Sequence, residues 1–353
     1  MCNIAGYAGT NPAAPILLEM LKNQEGLDSG FFTGISTIHE GKIYYAKVVG
    51  DINTLLERTD ALSLPGTIGI AHSRTPGGAG EGDSWAHPFT TERSGSVLFA
   101  QVLNGWAGRW TPQVSEYLAL GKQLVSEGYP LKSSIHAPGR AWSIDGDISV
   151  HTSDIFTQLT AKKIDDGQDA VSALLHTYEQ MPEEIASLAL SVTEPDAIVW
   201  GRMNFPMFRS TTKDGTYLAT SPTALPSEAG SHELLPAASA GIIRKDSFTC
   251  HSFNKDLQEL VPPLTPQTVR TAYDVICQAL RAKRHIVNDL FRILYDKSDP
   301  SLCHQFMPLI YETILDLQQH GRLVIEKEYD RGMTDDLKAP TQYLRLKESA
   351  RSF

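Results

Sequence analysis

Cys2-Asn3-Ile4-Ala5-Gly6-Tyr7, directly behind Met1, is the stretch on which the fold turns. Asn3–Ala8 is small, apolar and strand-like. Methionine is normally trimmed ahead of a small residue, which would leave Cys2 first. A thiol and a free α-amine then share one residue. The amine has a reference pKa near ~8, so part of it is neutral at pH 7. It can act, through a water, as the base that takes the proton of its own thiol. A lone cysteine near a frayed terminus is the plain alternative, so the rest of the chain has to decide.

The bulk properties narrow the field. A chain of 353 residues suffices for one large domain plus a smaller one. No apolar run reaches the roughly 18 residues of a membrane span, and the start lacks the basic-then-apolar layout of a signal peptide. Cys2, Cys250, Cys277 and Cys303 show no CxxC spacing. Neither a zinc site, a disulfide framework nor a cofactor is expected. These features describe a cytoplasmic protein that does not engage a membrane. The net charge of -10 is uneven: from Lys255 onward there are 14 basic and 14 acidic residues, against 17 and 27 before it. Neither part carries the basic footprint of a nucleic-acid binder.

Residues 2 to about 253 read as short strands with a few helices. Besides the first strand, Gly66–Ala71, Val97–Leu103, Ser187–Val192, Thr216–Ala219 and Ala240–Ile243 are strand-like. Ile16–Leu21, Gln113–Glu127 and Gln168–Gln180 have helical spacing. Helices between groups of strands imply layered α and β structure and not a βαβ series. Composition changes at Pro262-Pro263-Leu264-Thr265-Pro266, where Thr265 is a natural N-cap. Beyond it, Val269, Tyr273, Ile276, Leu280, Val287, Leu290 and Leu294 repeat as in one helix. A second helix spans about Leu302 to His320 and stops at Gly321. Arg322–Ile325 and Gln342–Leu346 read as a β-hairpin around a polar loop, so 260–353 forms a small helical, winged-helix-like domain.

A thiolate attacking an amide needs a base, an oxyanion hole and clamps for the substrate. Arg74 ends the strand-like Ala71-His72-Ser73-Arg74, where a guanidinium can grip a carboxylate bidentately or make a surface ion pair. Asn104-Gly105 follows a strand, and is either a hairpin turn or an amide and N–H pair for an oxyanion. In Thr152-Ser153-Asp154 the aspartate caps a helix or binds an ammonium. His87 is a structural histidine or a substrate contact, and Pro76–Gly82 looks like a flexible lid.

In this order and spacing, the residues resemble one family, the class II glutamine amidotransferases, whose glutaminase domain is an N-terminal-nucleophile hydrolase. The likeness starts at Cys2-Asn3-Ile4-Ala5-Gly6-Tyr7 and runs through Leu27-Asp28-Ser29-Gly30 and Lys47-Val48-Val49-Gly50. It continues in Gly66–Arg74, Ala86-His87-Pro88, Asn104-Gly105 and Thr152-Ser153-Asp154, and reaches Gly201-Arg202 and Ala219–Leu225. About seven-tenths of the chain is covered.

The resemblance implies an α+β fold, a four-layer αββα sandwich over 2–253. It implies Cys2 as nucleophile with its α-amine as base, and Asn104 and Gly105 as the oxyanion hole. Arg74 would bind the glutamine α-carboxylate and Asp154 the α-amine, with Thr75 and His87 beside them. The γ-amide would be cleaved through a γ-glutamyl thioester. Five family positions differ here: Asn3 replaces glycine, Thr75 an aromatic residue, Gly77 threonine, Leu103 histidine and Phe156 an acidic residue. The remaining ~100 residues are too few for a synthase domain. The ammonia acceptor is therefore expected on another subunit, contacted through the C-terminal domain, and a homo-oligomer is a further expectation. A γ-glutamyl amide hydrolase with another substrate, and a non-catalytic scaffold on the same fold, are the alternatives.

Overall fold

The computed structural model describes residues 2–75, 82–108, 114–137, 139, 142–334 and 337–347. Of the expected lid, Pro76–Gly82, residues 76–81 with Gly77 among them lie outside the described residues. Strands β1 (Asn3–Gly9), β2 (Phe32–His39), β3 (Lys42–Val49) and β4 (Ile68–Arg74) alternate with helices α1 (Ala13–Gln24) and α2 (Ile52–Arg58). Next come β5 (Phe89–Arg93), β6 (Ser96–Trp106) and α3 (Val114–Ser126). A small sheet of β7 (Ile135–His136), β8 (Ser143–Asp145) and β9 (Ile148–Ser149) leads to α4 (Thr152–Asp165) and α5 (Ala170–Gln180). Strands β10 (Glu184–Ser191), β11 (Ile198–Arg202), β12 (Phe208–Thr212) and β13 (Gly215–Ala219) follow, then β14 (Glu233–Leu234), β15 (Ser239–Ile243) and β16 (His251–Ser252).

Two antiparallel sheets result, ordered β14-β12-β13-β1-β4-β2-β3 and β16-β15-β11-β10-β6-β5. Three apolar seams separate four layers. α1 and α2 pack on the first sheet through Leu17, Leu21 and Leu55 against Ala5, Tyr7 and Ala71. The sheets meet through Ile4, Ala8 and Ile70 against Val102, Leu188 and Trp200. Ile155, Phe156 and Tyr178 of α4 and α5 cover Phe99, Ile185 and Val199 on the far side. This is the αββα sandwich. It explains why β1 is apolar on both faces, since successive side chains point into different buried seams. A Cβ on Gly6 would come within 2.8 Å of Leu188 Cδ1, so the small residue lets the sheets approach.

The C-terminal unit comprises α6 (Lys255–Glu259), α7 (Pro266–Ala282), α8 (Val287–Lys297), α9 (Phe306–Gln319), β17 (Leu323–Thr334) and β18 (Leu337–Leu346). Thr265 caps α7, its hydroxyl accepting from the Thr268 N–H at 3.1 Å. The single helix expected over 269–294 is two. The break at Lys283–Ile286 arises because His285 exchanges both backbone hydrogen bonds with Leu344, at 2.9 and 2.8 Å. The expected 302–320 helix starts as a 3-10 turn, Pro300–Gln305, before α9. Helix, bridge, two helices and hairpin follow one another in this unit. Helix α9 is buried along most of its length, from Phe306 to Leu317. It lies in an interface.

That interface is internal. Leu27 and Phe208 of the sandwich share an apolar cluster with Phe306, Ile310 and Ile314. The Tyr311 hydroxyl donates to the Leu27 carbonyl at 3.4 Å. Gln342 binds twice to the α1–β2 loop, from its backbone N–H to Gly26 O (2.8 Å) and from Nε2 to Glu25 O (2.7 Å). Lys327 pairs with Glu25 at 2.9 Å. Ile310→Ala removes a fully buried side chain from the shared cluster. It should lower stability by about 2–5 kcal/mol, read from urea denaturation midpoints; a loss under about 1 kcal/mol would show that the interface is loosely packed.

Candidate active site

Cys2 stands at the entry of β1, buried, on the wall of a cavity of about 800 Å³. Its backbone nitrogen donates to Asn104 Oδ1 at 3.2 Å. The register of β1 against β4 pairs Asn3 with Ser73, so the strand carries Cys2 toward Arg74. Asn104 belongs to the other sheet and is fully buried. Its Nδ2 donates to Thr220 Oγ1 at 3.1 Å, and the same hydroxyl accepts from Ile4 N at 2.9 Å. One amide thus joins the two sheets at the cysteine. The hairpin reading of Asn104-Gly105 fails, because β6 continues straight through to Trp106. Gly105 lies on the cavity wall with φ +137°, and a Cβ there would fall 2.0 Å from Glu184 O. Only glycine fits this strand.

Asn3 is fully buried, and its Nδ2 donates to Gln24 O and Ser29 Oγ, both at 2.6 Å. It ties the end of α1 to the loop carrying Asp28, a cavity-lining residue with φ +78°. Arg74 and Thr75 line the same cavity. The Arg74 guanidinium stacks over Phe32 (5.0 Å) and Trp85 (5.6 Å), and Trp85 Nε1 donates to Ser133 O at 2.7 Å. The head of the arginine is thereby fixed by aromatic faces.

His87 faces the cavity beside them, almost fully buried. Neither ring nitrogen has a hydrogen-bond partner among the described residues. Its ring lies 3.9 Å from that of His72 and 5.5 Å from that of His151. Lys47 holds the segment by donating to Ala86 O and Pro88 O, at 2.8 and 3.1 Å. Burial, followed by the neighbouring histidines and Arg74, keeps His87 well below the ordinary imidazole pKa. Burial, then Arg74, pushes His72 down to about 3. Both imidazoles are neutral at pH 7, and His72 makes its hydrogen bond to Leu103 O at 3.0 Å. A base of pKa about 3 is a poor acceptor for a thiol proton.

Asp154 does not line the cavity. Its Oδ2 accepts from Ser133 N and Oγ, both at 2.8 Å, and Oδ1 accepts from Gln158 Nε2 at 3.1 Å. Burial raises its pKa although these bonds oppose the rise. Geometry makes Asp154 a tie between α4 and the 131–134 loop, set behind the cavity wall. Thr152 and Ser153 are the residues of this turn that reach the wall. Two further groups had not been expected at the site. Glu184 accepts from Trp106 Nε1 (3.3 Å) and from Asn204 Nδ2 (3.2 Å). The C-terminal unit adds Asn288, Phe291, Cys303, His304 and Met307 to the wall. Nothing in their spacing marks them.

Two outcomes follow from this geometry. Asp154→Ala should cost about 1–3 kcal/mol of stability by stranding the Ser133 donors, while the KM for glutamine of the folded variant changes less than threefold. A rise of tenfold or more would return Asp154 to the binding site. For His72, the unfolded chain takes up a proton below about pH 6.5 but the fold does so only near pH 3. Stability should therefore fall as pH drops through this window, by up to about 1.4 kcal/mol per unit for this one group. His72→Asn should flatten the slope measured by denaturation from pH 7 to 4, and an unaltered slope would contradict the assignment.

No family model matches the chain. It is 30% identical over 249 residues to the glutamine–fructose-6-phosphate aminotransferase (isomerizing) of Caldanaerobacter subterraneus subsp. tengcongensis, covering 70% of this chain and 36% of that protein. The corresponding protein of Pyrococcus horikoshii is 27% identical over 251 residues, covering 70% and 37%. The chain thus spans little more than a third of the length of these relatives. The glutamine phosphoribosylpyrophosphate amidotransferase of B. subtilis superposes with a TM-score of 0.56 at 14% identity, over 94% of this chain and 68% of that one. The fold is shared across that distance. With the sequence likeness to these aminotransferases over 70% of the chain, it places this protein in the class II glutamine amidotransferases of the N-terminal-nucleophile type.

Proposed function

We propose that the chain hydrolyses the γ-amide of glutamine to glutamate and ammonia, with Cys2 as nucleophile once Met1 is removed. The observation that carries this reading is the hydrogen bond from the Cys2 nitrogen to Asn104 Oδ1 (3.2 Å) at the wall of a cavity that also holds Arg74. Freed of Met1, that nitrogen is an amine anchored by one N–H. Its lone pair can take the thiol proton through a water. The thiolate adds to the γ-carbon, and the oxyanion is met by the Gly105 N–H and by the Asn104 Nδ2 hydrogen that Thr220 does not use. Collapse breaks the C–N bond, and the proton passes to the departing ammonia. Water then cleaves the thioester.

Arg74, braced on Phe32 and Trp85, suits the α-carboxylate, with Thr75 adjacent. The neutral His87 ring is free to accept from the α-ammonium. The ammonia acceptor belongs to another polypeptide in this reading. Its contact would be the outer side of the C-terminal unit, where Val269 and Tyr295 are exposed.

The Met1-free protein should release glutamate from glutamine, and Cys2→Ala should not. One extra residue ahead of Cys2 should abolish turnover although the thiol remains, because the amine is then an amide. A glutamine analogue with an electrophilic γ-carbon should label Cys2 and leave Cys250, Cys277 and Cys303 unmodified. Arg74→Lys should raise the KM for glutamine roughly ten- to a hundredfold, as expected for a lost charge-assisted pair. Full activity of an N-terminally extended protein would exclude the mechanism.

A further inference from the structure

The cavity at Cys2 exceeds what its proposed donor fills. A volume near 800 Å³ lies in the range of roughly 300–1,000 Å³ that houses drug-sized ligands, and glutamine is far smaller. The walls combine two chemistries. Arg74 stacks on Trp85, whose ring meets His151, which in turn meets His87. Trp106, Phe205, Phe291 and Met307 line the cavity as well, and Trp106 donates to Glu184.

This chamber is held rigidly. Asn204 Nδ2 donates both to Glu184 Oε1 and to the His304 carbonyl, each at 3.2 Å. It so joins the strand next to Gly105 to the C-terminal unit. Arg202, fully buried, donates to Asn204 O at 2.9 Å and Phe205 O at 2.7 Å, which fixes the loop between them. Trp106 is 65% exposed and forms the rim, its Nε1 on Glu184 Oε2. Phe291 is set edge-on to Phe306 with ring centres 6.2 Å apart.

An apolar, aromatic chamber next to the nucleophile serves the group that leaves the acyl carbon. Ammonia has no apolar surface to bury there. We infer that the preferred donors are γ-glutamyl amides of primary amines with an aromatic or apolar body, which lies against Phe205, Phe291 and Met307. The inference rests on the hydrolase reading above and replaces only the leaving group. Cys2 Sγ bonds to the γ-carbon as the C–N bond breaks, and the nitrogen takes the proton relayed from the thiol. The freed amine gains a further proton from water, and the Glu184 carboxylate complements its charge. Water then releases glutamate and restores the thiol.

The test compares L-γ-glutamyl-benzylamide with glutamine on the Met1-free full chain. The kcat/KM ratio should favour the benzylamide by about tenfold or more, the discrimination an apolar pocket supplies. Phe291→Ala should lower that ratio about tenfold. Phe291→Trp, which fills the chamber, should lower it as well, with thermal unfolding confirming that each variant folds. Glutamine hydrolysed as well as or better than the benzylamide, or a ratio unmoved by both variants, would overturn this inference alone and make the chamber a passage for ammonia. Failure to hydrolyse either substrate would overturn the hydrolase reading together with it.

Discussion

Everything at the site hangs from one buried side-chain amide. Asn104 receives the Cys2 N–H on its oxygen and gives an N–H to Thr220, while Thr220 also takes the N–H of Ile4. The first residues of β1, the middle of β6 and the turn after β13 meet there. Two of these belong to one sheet and one to the other. A buried amide left unsatisfied costs about 1–3 kcal/mol, so the three elements are held to a single relative position. The sandwich acts as a clamp that sets a terminal residue, otherwise prone to fraying, against a rigid strand.

The C-terminal unit turns its helices inward. Its fourth helix, α9, is buried against Leu27 of the α1–β2 loop and Phe208 of β12, and its Met307 reaches the cavity wall. Neutral charge over this segment already spoke against a nucleic acid. Architecture in this case says little about function, and the surface that is covered says more.

Much of the sandwich was legible because its strands carry small apolar runs, and such runs need two covered faces. The segment around Cys2 and the end of β4 were legible for the same reason. Helical phase set Asp154 behind the wall and not on it. Successive residues turn by about 100°, so a side chain two positions after Thr152 points into the core, and spacing alone does not tell which face of α4 meets the cavity. The Asn104-Gly105 pair had two readings because local turn chemistry is identical for a hairpin and for a strand with a positive-φ glycine; pairing with β10 decides. The break after α7 was hidden, since the apolar repeat runs through it and the backbone bridge to Leu344 has no side-chain signature. Phe291 and Met307 were invisible for a stronger reason: their role comes from docking between units distant in sequence.

That distance has a consequence for how the protein comes into being. The hydrogen bond from Gln342 to Glu25 closes a loop of 317 residues. A ribosome releases the α1–β2 loop long before the strand that braces it. Contacts so remote are slow to form, because a long loop must close before they return any free energy. The sandwich can collapse while the chain is still growing, with its thiol already set in place. The wall contributed by α8 and α9 arrives only after every strand of the sandwich has been made. Assembly therefore has an order: nucleophile first, chamber last.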